Sequence, residues 1–153
     1  MTEYILPVSQ RSLTALLAFQ YGNMEDVVTI SEENITLEEG SQVIGFQVGD
    51  KVTMDELVHG LLVYSGNDAA SAIATHIGGS TEKFVDMMNS YAAQLGCTRT
   101  HFTNPHGLQD ENHYTTPYDI YLMLKEALRF PELLRSLSLA PISFPIKAAT
   151  ESE

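Results

Sequence analysis

The residues best suited to chemistry in this chain are Ser65 and Asn67, which lie two positions apart after an apolar run. Residues 61–64 are followed by Ser-Gly-Asn and then by an alanine-rich helix start. A hydroxyl and a carboxamide are thereby presented at a helix N-terminus, where backbone N–H groups and the helix dipole favour developing negative charge. The same residue types are also good N-caps. Taken alone, the turn fits an active site and ordinary helix capping equally well.

Composition and charge limit the classes of function. The chain has 153 residues, which suits one domain with a real core. Its 8 basic and 20 acidic residues give a net charge of −12, and this excess disfavours binding to nucleic acid. No apolar run approaches the roughly 20 residues of a transmembrane helix. The first residues lack the basic and apolar regions of a signal peptide. The sequence therefore predicts neither a transmembrane helix nor a signal peptide.

Cysteine and histidine usage gives no firm metal site. The single cysteine, Cys97, cannot form an internal disulfide and is expected to be a small buried hydrophobe. His101, His106 and His113 lie close in sequence without helical i, i+4 spacing. Ordinary hydrogen bonding from a loop is favoured over zinc, which remains an alternative. We expect no cofactor and no metal.

The pattern of apolar residues and capping signals predicts a helix-rich chain with few strands. Thr53 and Glu56 form a capping box, Thr116 with Pro117 opens a later helix, and Asp119 is expected to serve in capping. The acidic pairs at 32–33 and 38–39 are expected in a solvated loop. Helices are predicted over residues 12–21, 53–62, 80–96 and 116–128, from the Ser65 turn to residue 78, and over a short turn that begins at residue 131. Strands are predicted over residues 27–30, 43–48 and 142–146.

The order of these motifs resembles the D-alanyl-D-alanine carboxypeptidases, which are low-molecular-mass penicillin-binding proteins of the serine peptidase kind. Ser65-Gly66-Asn67 resembles their Ser-x-Asn motif, and the runs at 21–28, 39–45, 89–108 and 113–119 follow in family order. The resemblance covers about residues 13–137. It implies an α-rich α+β fold: the helical half of a penicillin-binding-protein/β-lactamase-like fold, with few short strands and most of the central antiparallel sheet missing. Residues 1–153 would form a single partial transpeptidase-like domain.

The family chemistry implies roles for these residues. Such enzymes acylate a serine with the penultimate D-Ala of a peptidoglycan stem peptide, release the terminal D-Ala, and hydrolyse the acyl-enzyme with water. Position for position, Ser65 is similar to the proton relay and Asn67 to the amide that hydrogen-bonds the substrate backbone. The implied partners are stem peptides ending in D-Ala-D-Ala and β-lactams, and the implied location is the cell envelope, outside the cytoplasm.

The chain departs from the family where the nucleophile and base should lie. In the register set by residues 14–17, Arg11 takes the place of the lysine of Ser-x-x-Lys, and Val8 takes the place of the serine. A shift of one residue offers Ser9 as the nucleophile candidate, still without a lysine. Arginine stays protonated and cannot act as a base. The literal Ser-x-x-Lys beginning at Ser80 lies downstream of Ser65, and there we expect Ser80 to cap a helix.

The family's Lys-Thr-Gly strand is not found before residue 153. The sequence therefore predicts absent or very low hydrolysis by this chain, and exposed apolar surface where the sheet would pack. Two alternatives remain. One is a non-catalytic module that keeps the Ser65/Asn67 pocket for peptidoglycan peptides or a partner, and the other is a truncated or mis-started product of a longer gene.

Overall fold

A computed structural model describes residues 2–106 and 111–138, without the side chains of residues 2–9, 134 and 136–138. Within these residues the chain is mainly helical, with one two-stranded antiparallel sheet. No helix in the described part is both long and apolar enough to cross a membrane. The elements are α1 (Thr2–Tyr21), β1 (Val27–Thr29), α2 (Glu32–Ile35), β2 (Lys51–Thr53), α3 (Met54–Tyr64), α4 (Asn67–Gly78), α5 (Thr81–Gln94), α6 (Pro117–Ala127) and α7 (Pro131–Ser138).

The core is built around α1, α3 and α4, which contact one another. The second half of α1 is closed to solvent over several successive residues, so this helix lies inside the molecule rather than on its surface. Helix α5 packs on α4, and α6 packs on α1. Fully buried large side chains include Leu13, Leu16, Leu17, Leu57, Leu61, Ile73, Phe84 and Met88.

Capping residues begin the helices where the sequence predicted. The Thr53 hydroxyl accepts from the N–H of Glu56 at 3.2 Å, and the Ser80 hydroxyl accepts from the N–H of Lys83 at 3.2 Å. Thr116 caps α6 in the same way, with Pro117 as the first helical residue. The expectation that Ser80 is a capping residue is therefore confirmed. Each bond satisfies one of the free N–H groups at a helix start.

The strand prediction is correct at one place and wrong at another. Residues 27–30 contribute β1, whose Val28 pairs with Val52 of β2 in the antiparallel register. The strand expected at 43–48 does not form; the segment from Thr36 to Asp50 lies in irregular structure. The backbone N–H groups of residues 44–46 bond to the side chain of Asp68 instead of to a neighbouring strand. The alternating apolar residues of this segment were therefore not evidence of sheet pairing.

Two further expectations differ from the structure. Helix α1 begins at Thr2, ten residues before the predicted start, and continues through Pro7. Pro7 is the sixth residue of α1 and has no N–H to donate, so one backbone bond is missing there while the helix continues. Glu32 and Glu33 are exposed as expected, but they lie in the first turn of α2 rather than in a loop. Acidic side chains there favour the positive end of the helix dipole. The strand predicted at 142–146 lies outside the described residues.

Candidate functional site

The Ser65–Asn67 turn joins α3 to α4 through a left-handed residue. Ser65 has φ 55° and ψ 36°, and it is the one non-glycine residue with positive φ in the described part of the chain. This conformation costs an L-residue roughly 1–2 kcal/mol. Strain of this kind is concentrated at functional sites, where the surrounding structure maintains it.

Gly66 allows a neighbouring loop to approach the turn closely. A Cβ atom at this position would lie 2.7 Å from Cγ1 and 2.9 Å from Cδ1 of Ile44. The turn therefore packs directly against the segment that the sequence had assigned to a strand. A side chain at Gly66 would push Ile44 away from the start of α4.

Asn67 is the first residue of α4 and is 3% exposed. Its N–H donates to the carbonyl oxygen of Gln42 at 2.8 Å. Its side-chain oxygen, Oδ1, is closed to solvent and accepts no hydrogen bond from the described residues. An acceptor buried in this way costs roughly 1–3 kcal/mol until a donor reaches it. Asn67 therefore presents a buried acceptor that no donor in the described part of the chain satisfies.

Asp68 fixes the wall of this turn, and sequence reasoning did not single it out. The carboxylate is 1% exposed. Oδ1 accepts from the N–H of Ile44 at 3.0 Å, and Oδ2 accepts from the N–H groups of Gly45 at 2.9 Å and Phe46 at 3.2 Å. Oδ1 also accepts from the N–H of Ala69 at 3.0 Å. Four donors compensate the buried charge and tie residues 44–46 to the start of α4.

A second polar cluster joins α1 to the segment at residues 103–106 and to His113. The Nε2 amide of Gln10 lies 3.0 Å from Nδ1 and 2.9 Å from Nε2 of His113, and Gln10 is fully buried. The hydroxyl of Thr14 donates to the carbonyl of Pro105 at 2.7 Å. The Thr103 N–H donates to His113 Nδ1 at 3.1 Å, and His113 Nε2 lies 2.8 Å from the Thr103 hydroxyl and 2.8 Å from Nδ2 of Asn104. These contacts fix the segment against α1.

The histidines and the cysteine behave largely as ordinary structural residues. His101 pairs with Tyr114 in an isolated β-bridge, and its Nδ1 lies 2.9 Å from the carbonyl oxygen of Asn112. The expectation of hydrogen-bonded histidines is thus confirmed for His101 and His113. Cys97 is buried as predicted, and burial, together with the charge of Asp119, raises the pKa of its thiol to about 11.

The capping role expected of Asp119 is filled by Thr116 instead. The Thr116 hydroxyl accepts from the N–H of Asp119 at 3.2 Å. The Asp119 carboxylate is buried and accepts from the Arg99 N–H at 2.9 Å and from the Thr100 hydroxyl at 2.7 Å. It therefore ties the segment after α5 to α6, because a buried carboxylate needs donors that its own helix start does not supply.

Arg11 lies on α1 next to the buried Gln10 and is itself half-buried. Its Nε atom is closed to solvent and has no hydrogen-bond partner. Burial lowers the pKa of the guanidinium below its usual value. His106 lies near this charge. Burial, followed by the charges of His113 and Arg11, lowers the pKa of His106 to about 4. His106 is therefore neutral at pH 7.

The three site residues selected from the sequence, Ser9, Ser65 and Asn67, lie in parts of the fold that contact each other. Ser65 and Asn67 flank the turn at the start of α4, and Ser9 lies in α1, which packs against both α3 and α4. The side chain of Ser9 lies outside the described residues, as does that of Val8. No signal in the sequence identified Gln10 or Asp68 as supports of the site, because their partners are backbone groups and side chains far along the chain.

Comparison with known proteins places this architecture in one group. A family model described as D-alanyl-D-alanine carboxypeptidase matches residues 1–143. The chain is 34% identical over 137 residues to D-alanyl-D-alanine carboxypeptidase DacF of Bacillus subtilis, covering 87% of this chain and 35% of that protein. It is 34% identical over 133 residues to DacA of Haemophilus influenzae, covering 84% of this chain and 31% of that protein. The chain thus spans about a third of the length of these relatives.

Solved structures show the same likeness. Penicillin binding protein 5 from Haemophilus influenzae superposes with a TM-score of 0.82 at 30% identity, covering 95% of this chain and 44% of that one. Penicillin binding protein 6B from Escherichia coli superposes with a TM-score of 0.81 at 29% identity, covering 91% and 47%. The helix-rich arrangement and the partial coverage agree with the fold class expected from the sequence.

Proposed function

The chain belongs to the D-alanyl-D-alanine carboxypeptidase family, and from that premise we propose that it binds peptidoglycan stem peptides ending in D-Ala-D-Ala at the Ser65–Asn67 turn. In this proposal Asn67 hydrogen-bonds the peptide backbone, and Ser65 has the position of the proton relay. Residues 1–153 form one partial transpeptidase-like domain. The site of action is the cell envelope, where peptidoglycan is found.

The observation that carries the binding role is the geometry of Asn67. Its backbone N–H is fixed at a helix start by the bond to the carbonyl oxygen of Gln42, while the side-chain Oδ1 is buried without a donor among the described residues. The adjacent Asp68 fixes the loop that forms one wall of the turn. A peptide N–H is a donor of the kind that Oδ1 requires. A buried acceptor on a fixed helix start supports the binding of a peptide N–H at this position.

Hydrolysis by this chain is proposed to be very low or absent. In the register that aligns α1 with the family, the base position is Arg11 and the nucleophile position is Val8. A guanidinium remains protonated even when burial lowers its pKa, so it cannot remove a proton from a serine. Val8 has no hydroxyl to acylate. Arg11 thus favours the second candidate function, a non-catalytic domain that binds peptidoglycan peptides, over a working carboxypeptidase.

Binding and catalysis can be measured separately. Isothermal titration of the chain with a stem-peptide fragment ending in D-Ala-D-Ala should give heat that is lost in Asn67→Ala. Asn23→Ala removes an exposed amide from the turn before β1 and is the matched control, so it should bind as the unmodified chain does. Release of free D-Ala should stay at the level of the no-protein blank. Equal binding by Asn67→Ala and the unmodified chain would contradict the proposed site.

A further inference from the structure

The guanidinium of Arg11 is a partly buried cation without a partner. No acidic side chain forms an ion pair with it in the described part of the chain, and no carbonyl accepts from it. Nε is closed to solvent. Although the chain is rich in acidic residues, none of those that the structure describes forms an ion pair with Arg11. A cation that is partly removed from water without a counter-charge is unfavourable, and an anion that reaches it is stabilised.

The neighbours of Arg11 do not compensate its charge. The adjacent Gln10 directs its amide nitrogen toward His113 and Asn104, and its own Oε1 is buried without a partner. His106 is affected by the positive charge of Arg11 and is neutral at pH 7. Among the described residues, the surroundings of Arg11 therefore offer a neutral ring and the Gln10 amide, and no ion pair with a carboxylate.

We propose that Arg11 binds a carboxylate ligand where α1 meets the segment at residues 103–106. The planar guanidinium presents N–H donors in a fork that matches the two oxygens of a carboxylate. The side chain is only half-buried, and Nε is the one nitrogen of the group that is closed to solvent, so the outer nitrogens remain open to a ligand. The overall charge of −12 repels anions of high charge and favours a single carboxylate over a polyphosphate.

Two sources can supply this chemistry: a small organic acid, or the terminal carboxylate of a peptide. The peptide source rests on the proposed function, whereas the small acid does not. Acetate, N-acetyl-D-Ala-D-Ala and the C-terminal amide of that peptide separate them. The reporter is the Nε–Hε resonance of Arg11 in the full chain, followed by NMR at constant ionic strength with chloride as the reference anion.

The expected result is a saturable shift of the Arg11 resonance that chloride does not produce. A shift with acetate identifies a small carboxylate as sufficient, and a shift with the peptide but not its amide identifies a peptide terminus. No shift with either carboxylate overturns the proposal. Asn67→Ala leaves Arg11 intact, so an acetate response that persists in this variant separates the carboxylate site from the stem-peptide site.

Stability provides a second measurement. A ligand at ten times its Kd raises the ratio of folded to unfolded protein about eleven-fold. We expect this rise with acetate in the unmodified chain and in Arg99→Gln, the control, which removes an exposed arginine. Arg11→Gln should show no rise, and Arg11→Lys, which keeps the charge but lacks the fork, should show a smaller one. An equal rise in all four proteins indicates a general salt effect and overturns the proposal.

His106 gives a third readout that a purely structural Arg11 would not produce. A bound carboxylate offsets the charge of Arg11, so the pKa of His106 should rise from about 4. Trifluoroacetate remains ionised throughout this titration and is the suitable probe. The pKa in Arg11→Gln should be raised already and should not respond to the anion. A His106 pKa that is unchanged by saturating trifluoroacetate in the unmodified chain contradicts binding next to this ring.

Discussion

Replacing Asp68 by asparagine tests whether one carboxylate holds the wall of the site. Each oxygen of Asp68 accepts two backbone N–H groups: Oδ1 those of Ile44 and Ala69, and Oδ2 those of Gly45 and Phe46. Asparagine keeps one acceptor oxygen and places an NH₂ group against the other two donors. The substitution therefore removes two of the four bonds and leaves two N–H groups facing a donor.

The size of the effect follows from those two bonds. A hydrogen bond to a charged group contributes about 1.5–3 kcal/mol, so the loss of two predicts a destabilisation of roughly 3–6 kcal/mol. Asp86→Asn is the control, because Asp86 is exposed in the middle of α5 and should change stability by less than about 0.5 kcal/mol. Urea unfolding followed by circular dichroism measures both variants against the unmodified chain.

The same substitution should loosen residues 44–46 before the molecule unfolds. Amide hydrogen exchange at Gly45 and Phe46 should accelerate in Asp68→Asn, while exchange in the centre of α5 follows the global stability. If Asp68→Asn and Asp86→Asn unfold at the same urea concentration within error, the Asp68 carboxylate does not hold this loop and the reasoning is refuted.

Three further perturbations test other parts of the account. Gly66→Ala should destabilise the chain by about 1–3 kcal/mol through contact with Ile44. Adding Ile44→Ala should recover part of that loss. If the effects of the two substitutions on urea unfolding simply add, the contact is contradicted. His106 has a pKa of about 4 in the folded chain, below its value in the unfolded chain. As the pH falls from about 6.5 to 4, the unfolded state therefore binds more protons, and the free energy of unfolding should fall by up to roughly 3 kcal/mol. His106→Gln should lose this part of the pH dependence. The Cys97 thiol, with a pKa of about 11 and a buried sulfur, should react with iodoacetamide at pH 8 only when urea unfolds the chain, and rapid reaction of the folded protein would refute its burial.

Local signals predicted the elements that depend on local chemistry. Hydroxyl caps at Thr53, Ser80 and Thr116 fixed where three helices begin, because each cap bonds to a group three residues away. The Ser65 turn was recognisable because an apolar helix stops abruptly at a compact polar sequence. Its left-handed backbone could not be foreseen, since serine rarely adopts it.

What the sequence could not provide depends on long-range contacts. Residues 43–48 alternate like a strand, but they bond to a side chain more than twenty positions later. Gln10 reaches a histidine 103 positions away. No local pattern encodes such partners, because loop closure across these distances is decided by the packing of the whole core. Arg11 was recognised as a departure from the family motif, and its lack of an ion-pair partner emerged from the fold.

The central claim is that this family member retains a peptide-binding turn without the groups that acylate. Incubation of the full chain with a fluorescent penicillin, followed by boiling in detergent, gel electrophoresis and peptide mapping, tests it most directly. We expect no covalent fluorescence above that of a heat-denatured sample, because Arg11 cannot act as a base and Val8 offers no nucleophile. Stoichiometric, boiling-stable label on Ser9 would contradict it.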